Sequence, residues 1–399
     1  MKNLIPHFIQ EQYECGVEKG NFTGFALFVD LSGFTGLTET LLKKEKAGAE
    51  RLSDILNAIF GPMVSLVYKT GGFIPHFAGD AYFGLFPQST TPLCAEEVIA
   101  IASEHFHLLQ KASPAFKEFS IKIKIGISHG NIEWGIVGNE TKSFYFRGQA
   151  IMGCANCQAL AQSGEIILDG HFKKLLNQTE GLKAIEGKTC FKMSPLSERA
   201  SRSLPSTTVV LPPMSRPVLG RFLPEAILRF NQQGEFRTVV AAFLSFEGLA
   251  SHEELDELAS VVLQKVADFS GYFKEMEFAD KGGVMVILFG APVSFENNAE
   301  RAVEFLLTLN EELLPLENHS KLKKKAGVAT GIAYTGLVGG DERCQYAAVG
   351  NRINIAARIM MKARWGEILV DENVAKTQQF TFEYKGNMAY KGLEKKIPT

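Results

Sequence analysis

The sequence predicts an α+β fold built twice along one chain, each half a βαββαβ-type unit. Three observations carry this reading. First, blocks of sequence return in the same order. "KIGISHGNIEWGIVGNETKSFYFRGQA" parallels "VATGIAYTGLVGGDERCQYAAVGNRIN", "GEIILD" (164–169) returns as "GEILVD" (366–371), and "FALFVDLSGF" (25–34) pairs with "VVAAFLSFEGL" (239–249). Repetition at this length is duplication of a domain, not a short solenoid repeat. Second, apolar runs of strand length alternate with amphipathic helical patterns in the same rhythm in both halves. Third, the 399 residues are long enough for two domains at about 100–200 residues each.

The elements follow in order. An apolar strand (Phe25–Leu31; Val239–Phe246) leads into a helix. In the first half Leu52, Ile55, Leu56, Ile59, Met63 and Val67 fall at i, i+3, i+4, i+7 spacing; in the second, Leu255, Leu258, Val261, Val262 and Phe269 do so. Two apolar strands around a tight turn come next, then a helix near 94–112 or 297–313. A hairpin, "IKIGISHGNIEWGIVG" or "AGVATGIAYTGLVGG", precedes another helix and a last strand. That order predicts a ferredoxin-like core, an antiparallel-containing sheet with helices on one face. Between the halves, residues 194–220 are rich in Ser and Pro, the composition of a linker or an extended arm. The expected division is 18–193 for the first domain, 194–234 for the linker or arm, and 235–399 for the second domain.

Composition excludes several classes. A hydrophobic fraction of 46% and a charged fraction of 22% are those of an ordinary globular protein. A net charge of −2 gives no global pull toward nucleic acid or anionic membranes. The start of the chain has no signal-peptide core, and the longest apolar runs are too short to span a bilayer, so the expected location is cytoplasmic. Six cysteines in a chain this size make no disulfide framework. Cys154-Ala-Asn-Cys157 has no second pair or nearby histidines to complete a zinc site, and reads as two ordinary helix cysteines.

The chemistry-bearing residues lie at strand ends. Asp30 closes a buried strand and is followed by the small turn "LSGFTG"; Asp80, in "HFAGDAYFGLF", lies between two other apolar strands. A lone Asp at a strand end is usually a turn former. Two on neighbouring strands would bring hard oxygen ligands suited to Mg²⁺ or Mn²⁺ to one sheet edge, with backbone amides after Asp30 available to a phosphate.

"FVDLSGFTGLTE" with "FAGDAYFGLF" and, in the second half, "YAAVGNRINIAARIMM" resemble the catalytic motifs of class III nucleotidyl cyclases, and the tandem order resembles the soluble adenylyl cyclases. The resemblance covers most of residues 20–392. It implies two domains packed as a pseudo-twofold heterodimer on one chain, with the active site between them. It implies a lyase that makes 3′,5′-cyclic AMP and pyrophosphate from ATP with two divalent metal ions, Mg²⁺ or Mn²⁺. Asp30 and Asp80 would bind the metals, with the Leu31 carbonyl a further ligand. Phe34 and Thr35 would offer amides to the phosphates, Lys281 would read the purine, Asn354 and Arg358 would orient the ribose and stabilise the transition state, and Lys391 would contact phosphate. Related chains often continue into ATPase and helical-repeat regions, so the expectation is a catalytic portion of a longer protein, acting as a monomer by internal domain pairing.

The halves can be checked against each other. The second has Ser245 and Lys281 where the first has Asp30 and Asp80; the first has Met152 and Asn156 where the second has Asn354 and Arg358. The losses are complementary, so one composite site is expected. The opposite pocket, where relatives place a lysine and an arginine for bicarbonate, has His76 and Ala155. Bicarbonate stimulation is therefore expected to be weak or absent. At the base pocket Ala347 replaces a polar reader, so ATP is the expected substrate, with relaxed discrimination against GTP. A nucleotide-binding regulatory module without turnover is the rival reading. "GGDER" (339–343) resembles a diguanylate cyclase signature but aligns with "GNETK" in the first half, and the chain has no P-loop motif.

Overall fold

The computed structural model describes residues 2–90, 92–195, 204, 211–232, 234–279, 282–377, 379–390 and 396–399. Among the described residues two large sheets form, one from each half, besides a two-stranded pair of Asn387–Met388 with Ile397–Pro398. The first holds β1 (Lys19–Ser32), β2 (Phe77–Ala78), β3 (Ala81–Pro87), β4 (Lys122–Val137), β5 (Ser143–Arg147), β6 (Ile166–Asp169), β7 (Lys183–Ala184) and β8 (Cys190–Met193). Its path runs β2-β3-β1-β4-β6-β8-β7, with β5 paired to β4. The second holds β9 (Glu235–Glu247), β10 (Tyr272–Ala279), β11 (Gly282–Phe289), β12 (Lys323–Gly339), β13 (Cys344–Val349) and β14 (Ile368–Val370). Its path runs β10-β11-β9-β12-β13, with β14 beside β12. The shared core order, hairpin then first strand then fourth, is the ferredoxin-like arrangement, and the mixed α+β content agrees with the sequence reading.

Local chemistry explains the helices. Helix Glu45–Lys69 buries Leu52, Ile55, Leu56, Ile59, Met63 and Val67, the stripe that the spacing predicts. Its second-half counterpart, His252–Asp268, starts on a capping box: Ser251 accepts from the Glu254 amide, and the Glu254 side chain accepts from the Ser251 amide. In that helix Val261 is only half-buried, and Leu255, Leu258, Ala259, Val262, Leu263 and Val266 form the inner face. Helices Gln149–Leu160 and Asn351–Lys362 lie close against β4 and β12. A Cβ on Gly126 would come within 2.0 Å of the Cys154 carbonyl oxygen, and one on Gly327 within 2.1 Å of the Met360 amide. Only glycine allows that approach.

Two segments depart from expectation. Residues His7–Glu14 form a helix that the sequence pattern did not reveal; Phe8 stacks on Phe73 at 5.0 Å and meets Trp134 edge-on at 5.2 Å. The described part of the Ser/Pro-rich arm is also ordered, with short helices Arg216–Phe222 and Glu225–Leu228 that bury Val218, Leu219, Phe222 and Ile227. Cys157 faces Cys190, Sγ to Sγ 3.8 Å, rather than Cys154, whose thiol donates to the Ile151 carbonyl.

The halves are tied together through the turn between β12 and β13. Arg343 is 1% exposed and donates to the carbonyls of Leu4 (2.7 Å), Ile74 (3.2 Å) and Pro75 (2.8 Å). Around it, the Phe77 amide donates to Gln345 Oε1 (3.0 Å), Lys274 donates to the Phe77 carbonyl (2.8 Å), and Ser65 donates to Glu342 (2.8 Å). Apolar side chains from both halves, Met63 and Phe77 with Tyr346 and Ala347 among them, belong to one buried cluster.

Candidate active site

Asp30 sits near the end of β1, opposite Ala81 of β3 and Lys124 of β4. Asp80 occupies the turn between β2 and β3, after Gly79 in a left-handed conformation (φ 68°) that L-residues with side chains disfavour. The Leu31 amide donates to the Asp80 carbonyl at 3.1 Å, which holds the two acidic segments side by side. Burial and the nearby Asp30 charge push the Asp80 carboxyl up to about 7. Asp30 is also raised by burial, but an ion pair with Lys124 (3.2 Å) and a hydrogen bond from Gln158 oppose the shift.

Gly33 (φ 93°) turns the chain into helix Phe34–Leu42, and a Cβ there would lie 2.3 Å from the Ser120 carbonyl oxygen. The first amides of that helix, Phe34 and Thr35, have no intrahelical acceptor. A narrow cleft, with only about 10 Å³ of enclosed space, lies between them and the second half. It is lined by Phe34, Thr35, Thr38, Gly79 and Asp80 from one side, and by Ala348, Val349, Gly350, Ile353 and Asn354 from the other. Backbone amides without intrahelical acceptors, a half-buried carboxylate and an amide side chain from opposite halves therefore line one space.

Arg358 lies one helical turn beyond Asn354, on the same face of helix Asn351–Lys362. Its guanidinium is half-buried, burial lowers its pKa, and Nη1 is buried with no hydrogen-bond partner among the described residues. Such a group holds donors in reserve for a ligand. Ala347 is fully buried, paired with Gly336 across β12 and β13, while its neighbour Ala348 lines the cleft. Lys281 and Lys391 lie outside the described residues.

At the opposite pocket, His76 is 4% exposed and stacks 6.1 Å from Phe144. Burial pulls its pKa down to about 4, so the ring is neutral at physiological pH. Beside it stand Lys274 and Glu275, a buried ion pair, and Arg343. Ala155 is buried within helix Gln149–Leu160. The Arg147 guanidinium donates to Glu133 of its own half and, across the interface, to the Ala250 carbonyl, while Tyr145 contacts His252 of the second half (3.2 Å).

Sequence reasoning singled out neither Lys124 nor Gln158. The available signal was the shared offset before the close-packed glycine: Lys124 precedes Gly126 as Lys325 precedes Gly327.

The donor set suits a hard dication. Two carboxylates share a half-buried corner, and burial together with the neighbouring Asp30 charge pushes Asp80 toward the protonated form, a tension that a divalent ion would relieve.

The model of the "Adenylate and Guanylate cyclase catalytic domain" family matches residues 24–195 and 244–399. Adenylate cyclase type 10 of Homo sapiens is 26% identical over 385 residues, covering 85% of this chain and 24% of that protein. The Mus musculus protein of the same name is 27% identical over 390 residues, with the same coverage. The chain thus spans 24% of the length of these relatives. A solved structure described as a class III adenylyl cyclase-like ATP-binding protein from Pseudomonas aeruginosa shares the fold, with a TM-score of 0.64, 13% identity, and coverage of 89% of this chain and 85% of that one. Among the described residues no helix is long and apolar enough to cross a membrane. With both of its halves matched by one family model, and in the order that the duplication requires, the chain belongs to the adenylate and guanylate cyclase catalytic domain family.

Proposed function

We propose that the chain is an adenylyl cyclase that converts ATP to 3′,5′-cyclic AMP and pyrophosphate in one composite site. The observation that carries this reading is the cleft in which Asp80 and the Phe34–Thr35 amides of one half face Asn354 of the other. The names of the type 10 relatives favour ATP. On this reading residues 18–193 and 235–399 pair with pseudo-twofold symmetry within a single cytoplasmic chain, with no second copy needed.

Asp30, Asp80 and the Leu31 carbonyl would hold two divalent ions, Mg²⁺ or Mn²⁺. When bound, these lower the pKa of the 3′-hydroxyl and offset charge on the triphosphate. The chain does the rest. The helix N-terminus at Phe34 and Thr35 binds a phosphate through amides and the helix dipole. Asn354 orients the ribose so that the 3′-oxygen lies in line with the α-phosphorus. Arg358, with unused donors, meets the negative charge that develops on the transferring phosphoryl group. Lys281 reads the purine and Lys391 a phosphate, by the motif positions that they occupy.

Turnover is measured by incubating the protein with ATP or GTP plus Mn²⁺ or Mg²⁺ and quantifying cyclic nucleotide and pyrophosphate. ATP-dependent cyclic AMP formation is expected, with cyclic GMP formed at a lower but measurable rate, since Ala347 offers the base no side-chain hydrogen bond. Arg358→Ala is expected to lower kcat by about 10²–10³ with KM for ATP changed less than about threefold, the pattern of a contact made mainly in the transition state. A KM effect without a kcat effect would assign Arg358 to ground-state binding.

A second reading, nucleotide binding without turnover, is favoured by one observation: Lys124 already engages Asp30. ATP binding by calorimetry with no cyclic product under either metal would support it.

Bicarbonate is expected to change turnover by less than about twofold at fixed pH, because neutral His76 and the Ala155 methyl offer a small anion no charge. Several-fold activation would show that Lys274 or Arg343 receives the anion instead.

A further inference from the structure

Asp30 does not stand alone in its corner. Lys124 Nζ lies 3.2 Å from Asp30 Oδ2, and the Gln158 side-chain amide donates to the same oxygen. Both side chains of the ion pair are about one-fifth exposed, 23% for Lys124 and 21% for Asp30. Asp30 and Lys124 are direct cross-strand partners between β1 and β4.

The duplication supplies an internal control. The same cross-strand position in the second half pairs Ser245 with Lys325. Gly126 and Gly327 fix the equivalence, because each lies under its own crossing helix, against Cys154 and Gln158 in one case and Ala356 and Met360 in the other. Met360 is therefore the counterpart of Gln158. Lys325 takes another course: its ammonium donates to the carbonyls of Met361 (3.4 Å) and Ala363 (3.0 Å) and lies 5.0 Å from the centre of the Trp365 ring. Two seats thus exist for a lysine at this position of the fold. One is on the first-strand acid; the other is at the C-terminal end of the crossing helix, where carbonyls attract cations. The first half has Ser163 where the second has Trp365, which removes the ring from that second seat.

We propose that Lys124 is a resident counter-ion that occupies Asp30 until a divalent cation replaces it, with the helix-end carbonyls as its displaced seat, and that Gln158 is the positioning residue that keeps the Asp30 carboxylate aimed throughout. The inference rests on Asp30 and Asp80 being the metal carboxylates. Charge supports the exchange. With Lys124 in place, Asp30 is neutralised and one carboxylate, Asp80, remains for a dication. With Lys124 displaced, two carboxylates balance one dication. An ammonium 3.2 Å from the oxygen that a cation would take opposes that cation directly. Gln158 is neutral and carries no such conflict. The second half, which lacks the acid, has an apolar Met360 in its place.

The test is Mn²⁺ binding followed by electron paramagnetic resonance of the free ion, at one pH, without nucleotide and then with a non-cyclisable ATP analogue. Lys124→Met is expected to bind Mn²⁺ about tenfold more tightly than wild type without nucleotide, by the same Coulomb logic that shifts a pKa by a unit or more near a charge. Lys124→Arg, which keeps the charge, is expected to stay within about threefold of wild type. Gln158→Met is expected to weaken binding, because the carboxylate loses its orienting donor. Lys124→Gln serves as the charge-free variant should the methionine variant fail to fold. Mn²⁺ affinity in the charge-free variant equal to or below that of wild type would overturn the proposal. Mn²⁺ binding that Asp80→Asn leaves intact, or none with the analogue present, would instead overturn the metal-site reading beneath it.

Discussion

Asp80→Asn is expected to lower kcat by about 10³ or more while making the metal-free protein more stable above pH 7. The first effect follows from removing one of the two carboxylates proposed to hold the metals. The second follows from the tension at the site. The folded protein holds Asp80 at about 7, against an ordinary 3.8, because the group is buried beside Asp30. An acid whose pKa is raised on folding binds its proton more readily in the native state. Its favourable contribution is full below the ordinary value and is lost as pH rises from about 4 to about 7. Above that, the native state carries an unrelieved buried charge. Asparagine removes the charge and keeps the shape, so the gain should be on the order of 2–4 kcal/mol at pH 8. Thermal unfolding in EDTA between pH 5 and 8.5 measures it: wild type should lose melting temperature across this range, and the variant much less. Mn²⁺ should restore wild type and leave the variant unchanged. Parallel pH profiles for the two proteins would refute the account.

Arg343→Met is expected to destabilise the protein by about 3–5 kcal/mol, the usual cost of removing one partner from a buried charged network. The guanidinium fork satisfies the carbonyls of Leu4, Ile74 and Pro75, which belong to the N-terminal segment and the first half. Without it these acceptors are buried and unpaired, and Glu275 loses a nearby positive charge. Lysine cannot reproduce three divergent bonds from one planar group, so Arg343→Lys should recover less than half of the loss. Urea unfolding monitored by tryptophan fluorescence and by circular dichroism would read the change. A midpoint within about 0.3 M of wild type in Arg343→Met would show that the network is replaceable by packing.

How much of this was legible beforehand follows from the range of each interaction. The two sheets were readable because repeated blocks and apolar spacing are local signals, and each half confirmed the other. The approach of Asp30 and Asp80 was readable because strand ends fix where such side chains emerge, whereas Asn354 was placed only by the resemblance of its motif. Arg343 was not. Its partners are backbone carbonyls some 270 to 340 residues away, and every residue has a carbonyl, so no side-chain pattern marks the contact. Lys124 was hidden for a different reason: a lysine alternating with isoleucines in a strand reads as a solvated face. The helix His7–Glu14 has too short and irregular an apolar pattern to announce itself, and forms because Phe8 finds Phe73 and Trp134.

One consequence concerns β2, which is only two residues long. It borders the first sheet, and its Phe77 amide and carbonyl are taken by Gln345 and Lys274 of the second half. An isolated first half would present those groups as an open strand edge, a template for pairing with any other chain. Having the partner half on the same chain keeps that edge covered at a local concentration that dilution cannot lower. The duplication thus guards against edge-to-edge aggregation as well as assembling the candidate cleft. The first half expressed without the second should therefore aggregate, even where its own core is intact.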